Sequence, residues 1–86
     1  MYDLEFSENA KKFIKKLPAN DKKKIKSKLE TLAKDPDKLK NNIKKLKGEY
    51  GDFFRLRISN YRLIYKRYDK RLVIYILKAG HRKDVY

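Results

Sequence analysis

The spacing of apolar residues changes period near Ile43, and that change divides the chain into a helical part and a stranded part. Before it, Ala10, Phe13, Ile14 and Leu17 recur at i, i+3, i+4 and i+7, the stripe of an amphipathic helix. Ser7 stands where an N-cap belongs, and Pro18 closes the segment. A second stripe, Ile25, Leu29, Leu32 and Ala33, follows a capping residue at Asn20 or Asp21 and stops at Asp35-Pro36. Its other face carries Lys22, Lys23, Lys24, Lys26 and Lys28 and reads as a solvated surface. Ahead of both, Tyr2-Asp3-Leu4-Glu5-Phe6 alternates like a short strand. After Ile43 the period is two. Ile43–Leu46 reads as a short edge strand, a Gly48–Gly51 loop follows, and strand-like runs cover 53–58, 61–68 and 71–78. Ser59-Asn60 and Asp69-Lys70 are the expected two-residue hairpin turns. Leu72–Leu77 is apolar at every position, as in a strand covered on both sides. The sum is a single α+β domain over residues 1–86, in the order β-α-α-β-β-β-β. Two antiparallel helices would pack on one face of a small, mostly antiparallel sheet.

Charge narrows the function. Across 86 residues, 25 Lys and Arg stand against 11 Asp and Glu, a net charge of +14, which points to a polyanionic partner. With no Cys and one His, the chain has no zinc-finger set, thiol nucleophile or disulfide framework, and no cofactor or metal is expected. No apolar run approaches the roughly 18 residues of a membrane span. Met1-Tyr2-Asp3 does not begin like a secretion signal, so a soluble, cytoplasmic protein with no membrane partner is expected. All six arginines, Arg55, Arg57, Arg62, Arg67, Arg71 and Arg82, lie beyond residue 54. Arginine offers a planar fork that suits phosphate, so the second half of the chain is where a site is expected.

Counting across the turns places that site. Through Ser59-Asn60, Ile58 faces Tyr61, Arg57 faces Arg62, Leu56 faces Leu63 and Arg55 faces Ile64. Through Asp69-Lys70, Lys66 would face Val73, Ile64 would face Tyr75 and Arg62 would face Leu77. Opposed residues share a face of the sheet. One face then collects Phe54, Leu56, Ile58, Tyr61, Leu63, Tyr65, Leu72, Ile74 and Ile76 as a floor for the helices. The other collects Arg55, Arg57, Arg62 and Lys66 beside Ile64, Tyr75 and Leu77. Like charges directly opposed cost a few tenths to about 1 kcal/mol per pair, so folding alone would not choose Arg57 opposite Arg62. An anion between them would justify the arrangement. Gly80–Tyr86 is expected to leave the last strand beside this face. It brings His81, whose ordinary pKa lies near neutrality, and Tyr86, whose ring can stack on a base.

Leu46-Lys47-Gly48, Arg55-Leu56-Arg57, Tyr61-Arg62-Leu63-Ile64-Tyr65 and Gly80-His81-Arg82-Lys83-Asp84-Val85-Tyr86 together resemble the RelE-type toxins of bacterial and archaeal toxin–antitoxin pairs. The likeness runs over essentially the whole chain and implies a RelE-like fold. It further implies a metal-independent endoribonuclease that cuts messenger RNA in the ribosomal decoding site. The family's basic strand positions fall on Arg55 and Arg57, its strand arginine on Arg62, its later arginine on Arg82 and its tyrosine on Tyr86. Arg62, Arg82, Tyr86 and His81 are thus the expected catalytic residues, with Arg55, Arg57 and Lys66 holding substrate. Arg55 and Arg57 stay protonated, so proton transfer would fall to His81, Tyr86, Lys66 or a ribosomal group. The resemblance also implies an acidic, mostly helical antitoxin, bound in a hetero-oligomer. Two alternatives remain: a ParE-like inhibitor of DNA gyrase, which shares the fold, and a non-catalytic RNA- or ribosome-binding relative.

Overall fold

The structure is a computed structural model that describes residues 1–48 and 51–81. Strand β1 (Asp3–Phe6) leads into helices α1 (Glu8–Lys15) and α2 (Ala19–Lys34) and a 3₁₀ segment, Pro36–Asn42. Strands β2 (Ile43–Gly48), β3 (Gly51–Ile58), β4 (Tyr61–Tyr68) and β5 (Val73–His81) follow. They form one sheet in the order β1-β5-β4-β3-β2, antiparallel except for β1, which runs parallel to β5 with Leu4 opposite Ile74 and Phe6 opposite Ile76. The predicted α+β order therefore holds, with the 3₁₀ segment as an addition. Asp35 makes that segment: its carboxylate accepts the Asp37 N–H, Pro36 supplies a preset φ, and Leu39 is buried beneath it.

Local chemistry sets the helix ends. The Ser7 hydroxyl accepts the Ala10 N–H at 3.1 Å and donates to the Leu77 carbonyl at 2.6 Å, so one side chain caps α1 and binds it to β5. Helix α2 begins two or three residues earlier than a cap at Asn20 or Asp21 would allow. Pro18 occupies the N-cap without a side-chain hydrogen bond, and Asp21 lies in the first turn, where a carboxylate complements the helix dipole. The expected apolar stripes turn inward. Ala10, Ile25, Leu29 and Leu32 meet Leu56, Ile58, Tyr61, Leu63, Tyr65, Ile74 and Ile76 in one cluster, with Phe13, Ile14 and Leu17 packed at its margin. Burial pushes the Tyr65 phenol up to about 12. The lysines of α2 stand in solvent.

The β3–β4 hairpin has the predicted register, from Ile58 opposite Tyr61 to Arg55 opposite Ile64. The β4–β5 hairpin departs from it in two ways. Its turn has four residues, Asp69 to Leu72, closed by the Arg71 N–H on the Tyr68 carbonyl at 3.2 Å. Lys66 therefore faces Tyr75 rather than Val73, a two-residue shift that preserves the face of each side chain. The second departure is a β-bulge. Tyr65 faces Ile76 but Ile64 faces Lys78, so Leu77 is an extra residue and every position after it changes face. Arg62 consequently faces Gly80 instead of Leu77.

Leu72 was expected on the core floor and is instead the last turn residue, 48% exposed with φ at 52°. A left-handed backbone strains a residue with a Cβ by roughly 1–2 kcal/mol. Leu72→Gly is accordingly expected to stabilise the protein by a few tenths of a kcal/mol to about 1 kcal/mol in urea titration, the relieved strain exceeding what the half-exposed side chain and the freer unfolded chain give up. Unchanged or lower stability would show that the exposed leucine makes contacts that outweigh its strain.

The same turn is fastened to the start of the chain. Tyr2 donates its hydroxyl to Asp69 at 2.7 Å, and Arg67 donates to Asp69 at 3.2 Å and to the Tyr2 hydroxyl at 3.1 Å. The Tyr2 hydrogen bond, with Arg67 behind it, holds the Asp69 carboxyl below its ordinary 3.8. A depressed native pKa stabilises the fold above the unfolded value, and the benefit is lost as pH falls through the native one. Tyr2→Phe should move the Asp69 titration, followed by NMR, back toward 3.8 and remove that acid-sensitive share of stability. An unmoved midpoint would assign the shift to Arg67 alone.

Candidate nucleic-acid interface

Strand alternation builds one open sheet face, the one the helices do not cover. Arg57 and Arg62 are a directly opposed pair on β3 and β4, and Arg55 lies opposite Ile64. Extending each row across the sheet adds residues that the hairpin count missed. Lys44 on β2 faces Arg55, and the bulge brings Lys78 opposite Ile64. Lys44 was legible by counting through the Gly48–Gly51 loop, whereas Lys78 required knowledge of the bulge. Among the described strand residues six cations therefore share this face: Lys44, Arg55, Arg57, Arg62, Lys66 and Lys78. Asp3 and Glu5, the described carboxylates on that face, stand at the opposite edge on β1.

The cations differ in setting. Arg57, Lys44 and Lys78 are exposed, Arg55 and Lys66 are half-buried, and Arg62 is only 8% exposed. Gly80 opposite Arg62 has no side chain and leaves room for a large one to settle onto the sheet. Lys66 places its ammonium 5.4 Å from the Phe53 ring and 5.8 Å from that of Tyr68, and Arg71 stacks 4.5 Å from Tyr68. Phe53, Tyr68 and Tyr75 thus put aromatic surface next to positive charge, the pairing that holds single-stranded nucleic acid. A buried guanidinium among lysines and flat rings can bind a phosphodiester and stabilise charge that grows on it.

His81 is not part of this cluster. It was expected beside the arginines, but the bulge at Leu77 turns it to the helix-covered face, opposite Tyr61. Its ring lies 5.5 Å from Phe13 and 5.2 Å from Tyr61. Arg67 likewise belongs to the other face, over the Tyr2 and Phe54 rings. Arg82 and Tyr86 lie outside the described residues. On the helix side a groove of about 470 Å3 has an apolar floor of Leu4, Phe6, Ile14, Ile25 and Leu29 and is rimmed by Lys15, Lys22 and Lys26, with Glu30 as its one carboxylate among the described residues. No described helix is long and apolar enough to cross a membrane.

With this geometry in place, the relatives are informative. The family described as ParE toxin of type II toxin–antitoxin system, parDE, matches residues 4–86. The chain is 31% identical to the mRNA interferase toxin RelE of Escherichia coli, over 99% of its own length and 90% of that protein. It is 36% identical to the toxin RelE1 of Methanocaldococcus jannaschii, over 99% and 94% of the two chains. Among solved structures it superposes on the archaeal RelE–RelB complex of Pyrococcus horikoshii with a TM-score of 0.82 and 27% identity, covering 98% of each chain. The isolated E. coli RelE toxin gives 0.75 and 30%, with 94% and 84% covered. The fold, the basic open face and these relatives agree: the chain belongs to the RelE/ParE family of type II toxin–antitoxin toxins, as a toxin of the RelE type.

Proposed function

We propose that this chain is the toxin of a type II toxin–antitoxin pair and a metal-independent endoribonuclease that cuts messenger RNA in the ribosomal decoding site. The observation that carries the reading is the opposed pair Arg57–Arg62 at the turn end of a cluster of six strand cations on an uncovered face, an arrangement that an RNA backbone would neutralise. In this reaction the RNA 2′-oxygen attacks the adjacent phosphorus and loses its proton. The P–O5′ bond breaks, the 5′-oxygen takes up a proton, and a 2′,3′-cyclic phosphate remains. Arg62, held in the sheet, stabilises the charge that gathers on the phosphoryl oxygens, and Arg82 is assigned the same task. Arg55, Arg57 and Lys66 hold the flanking backbone, so that the 2′-oxygen lies in line with the leaving oxygen. Tyr86 stacks on or hydrogen-bonds the splayed nucleotide. Proton transfer falls to Tyr86, to Lys66 or to the ribosome.

The partner that would restrain such a toxin in the cytoplasm is an acidic, mostly helical antitoxin. The solved relatives include RelE–RelB complexes, and the lysine-rimmed apolar groove on the helix side has complementary chemistry. The test is primer extension on a message in cell-free translation. Breaks that need both translation and this protein support the reading. The match to the ParE family favours one other reading, gyrase inhibition, which predicts blocked supercoiling and broken DNA with messages intact. Salt-sensitive RNA binding without cleavage in any context would leave a binding module.

A further inference from the structure

The lone histidine is the group that neutral-pH proton chemistry would choose, yet the structure puts the sheet between it and the cations. The bulge explains how. Before Leu77, Val73 and Tyr75 share the open face, and unbroken alternation would carry residue 81 there as well. The extra residue reverses the alternation, so Lys78 and Gly80 take the open face and His81 goes to the helices. The bulge is secured, because Ser7 donates its backbone N–H to the Ile76 carbonyl at 2.9 Å and its hydroxyl to that of Leu77 at 2.6 Å. The reversal is therefore built into the fold.

On the helix side His81, itself exposed, packs against two rings. Its ring meets Phe13 of α1 edge-on at 85° and lies tilted on Tyr61 of β4, and Phe13 and Tyr61 also touch each other, 6.0 Å apart. The Tyr61 hydroxyl donates to Asp21 of α2 at 2.7 Å, which raises the phenol's pKa and fixes the ring that supports His81. Two elements thus meet the last residue of β5, and α2 steadies one of them through Asp21. One residue before it, Gly80 is the backbone opposite Arg62.

We propose that His81 is a positioning residue: packed against the touching rings of Phe13 and Tyr61, it pins the end of β5 behind Arg62, and it transfers no proton. This rests on the ribonuclease reading only for its consequence in catalysis. A proton donor or acceptor must come within hydrogen-bond reach of the reacting oxygens, which a ring on the far face does not. An anchor needs only shape and aromatic surface, which phenylalanine supplies without a titrating group.

Wild type, His81→Phe and His81→Ala should be compared in translation-dependent cleavage from pH 6 to pH 8.5, and in amide hydrogen exchange. His81→Phe is expected to cut within about threefold of wild type with the same pH profile, and His81→Ala about 10- to 100-fold more slowly, as misplacement alone can do. Exchange at Ala79, Gly80 and His81 should quicken in His81→Ala and not in His81→Phe, with the middle of β4 unchanged in both. Tyr61→Phe, which frees the ring from Asp21 but keeps it, should give a smaller effect of the same kind. If His81→Phe is as slow as His81→Ala, or loses a pH limb that wild type shows, the proposal is wrong and His81 handles a proton. Unaltered exchange in His81→Ala would also overturn it. Should wild type cut nothing, the ribonuclease reading fails, while the exchange comparison still decides whether His81 is the anchor.

Discussion

Arg62→Ala is expected to slow translation-dependent cleavage by about 100- to 1,000-fold, the usual effect of removing one fixed donor from a charge-stabilising site. The size follows from its setting. Arg62 is the cation of the open face that is buried, so its guanidinium is held in place before substrate arrives, and its field is poorly screened there. Arg57, exposed on the neighbouring strand, keeps its charge in water, and Arg57→Ala should cost about tenfold or less. The fold should survive the loss of Arg62. Removing one of two opposed arginines relieves a few tenths to about 1 kcal/mol of repulsion, which offsets the lost packing of its aliphatic stem. Arg62→Lys separates charge from shape, because it restores a cation without the fork and should recover only part of the rate. A folded Arg62→Ala protein that cuts at the wild-type rate would remove Arg62 from the site.

Ile76→Ala should lower the unfolding free energy by about 2–5 kcal/mol, the range for deleting a buried isoleucine side chain to its Cβ. Ile76 is fully buried on the strand that lies between β1 and β4, with Phe6 on one side, Tyr65 on the other and the bulge next to it. The surrounding backbone is held in two directions, so the cavity cannot close easily. At about 0.05–0.15 kcal/mol per residue, a domain of this length has a total stability of only about 4–13 kcal/mol. One substitution could therefore leave a substantial unfolded fraction at 37 °C. Urea titration would measure the loss, and Ile76→Val, which removes one methyl, should cost about 0.5–1.5 kcal/mol. A loss below about 1 kcal/mol for Ile76→Ala would mean that β5 can relax around the gap.

The β3–β4 hairpin was legible because its strands alternate strictly: Leu56, Ile58, Leu63 and Tyr65 must face one way and Arg55, Arg57 and Arg62 the other. A one-residue slip would bury the arginines, so the pattern has a single solution. Leu72–Leu77 gives no such constraint. Every residue in it is apolar, so the run announces a covered strand but is silent on register, turn length and bulge. The misplacement of Leu72 and of His81 both follow from that silence. The parallel contact of β1 with β5 was equally hidden, since β1 pairs with a segment about seventy residues away and no local signal records it. The 3₁₀ segment could have been inferred from Asp35-Pro36-Asp37 followed by one lone leucine, a start signal that also reads as a stop. The arginine cluster needed only the hairpin and was found. Its lysine neighbours depended on contacts farther along the sheet.

Synthesis proceeds from one end, and the pairing of β1 with β5 gives that direction a meaning. Residues 3–6 have no strand beside them until residues 73–76 exist, because among the described strands β5 alone neighbours β1. The helices and the β2–β4 meander can form earlier from nearby contacts, but closing the domain waits for a long-range step, which is the slow kind. A product that stops short of residue 73 lacks β5 and with it the strand across from Arg62. Interrupted translation would thus yield fragments that hold most of the basic residues of the open face without the strand that closes it behind Arg62.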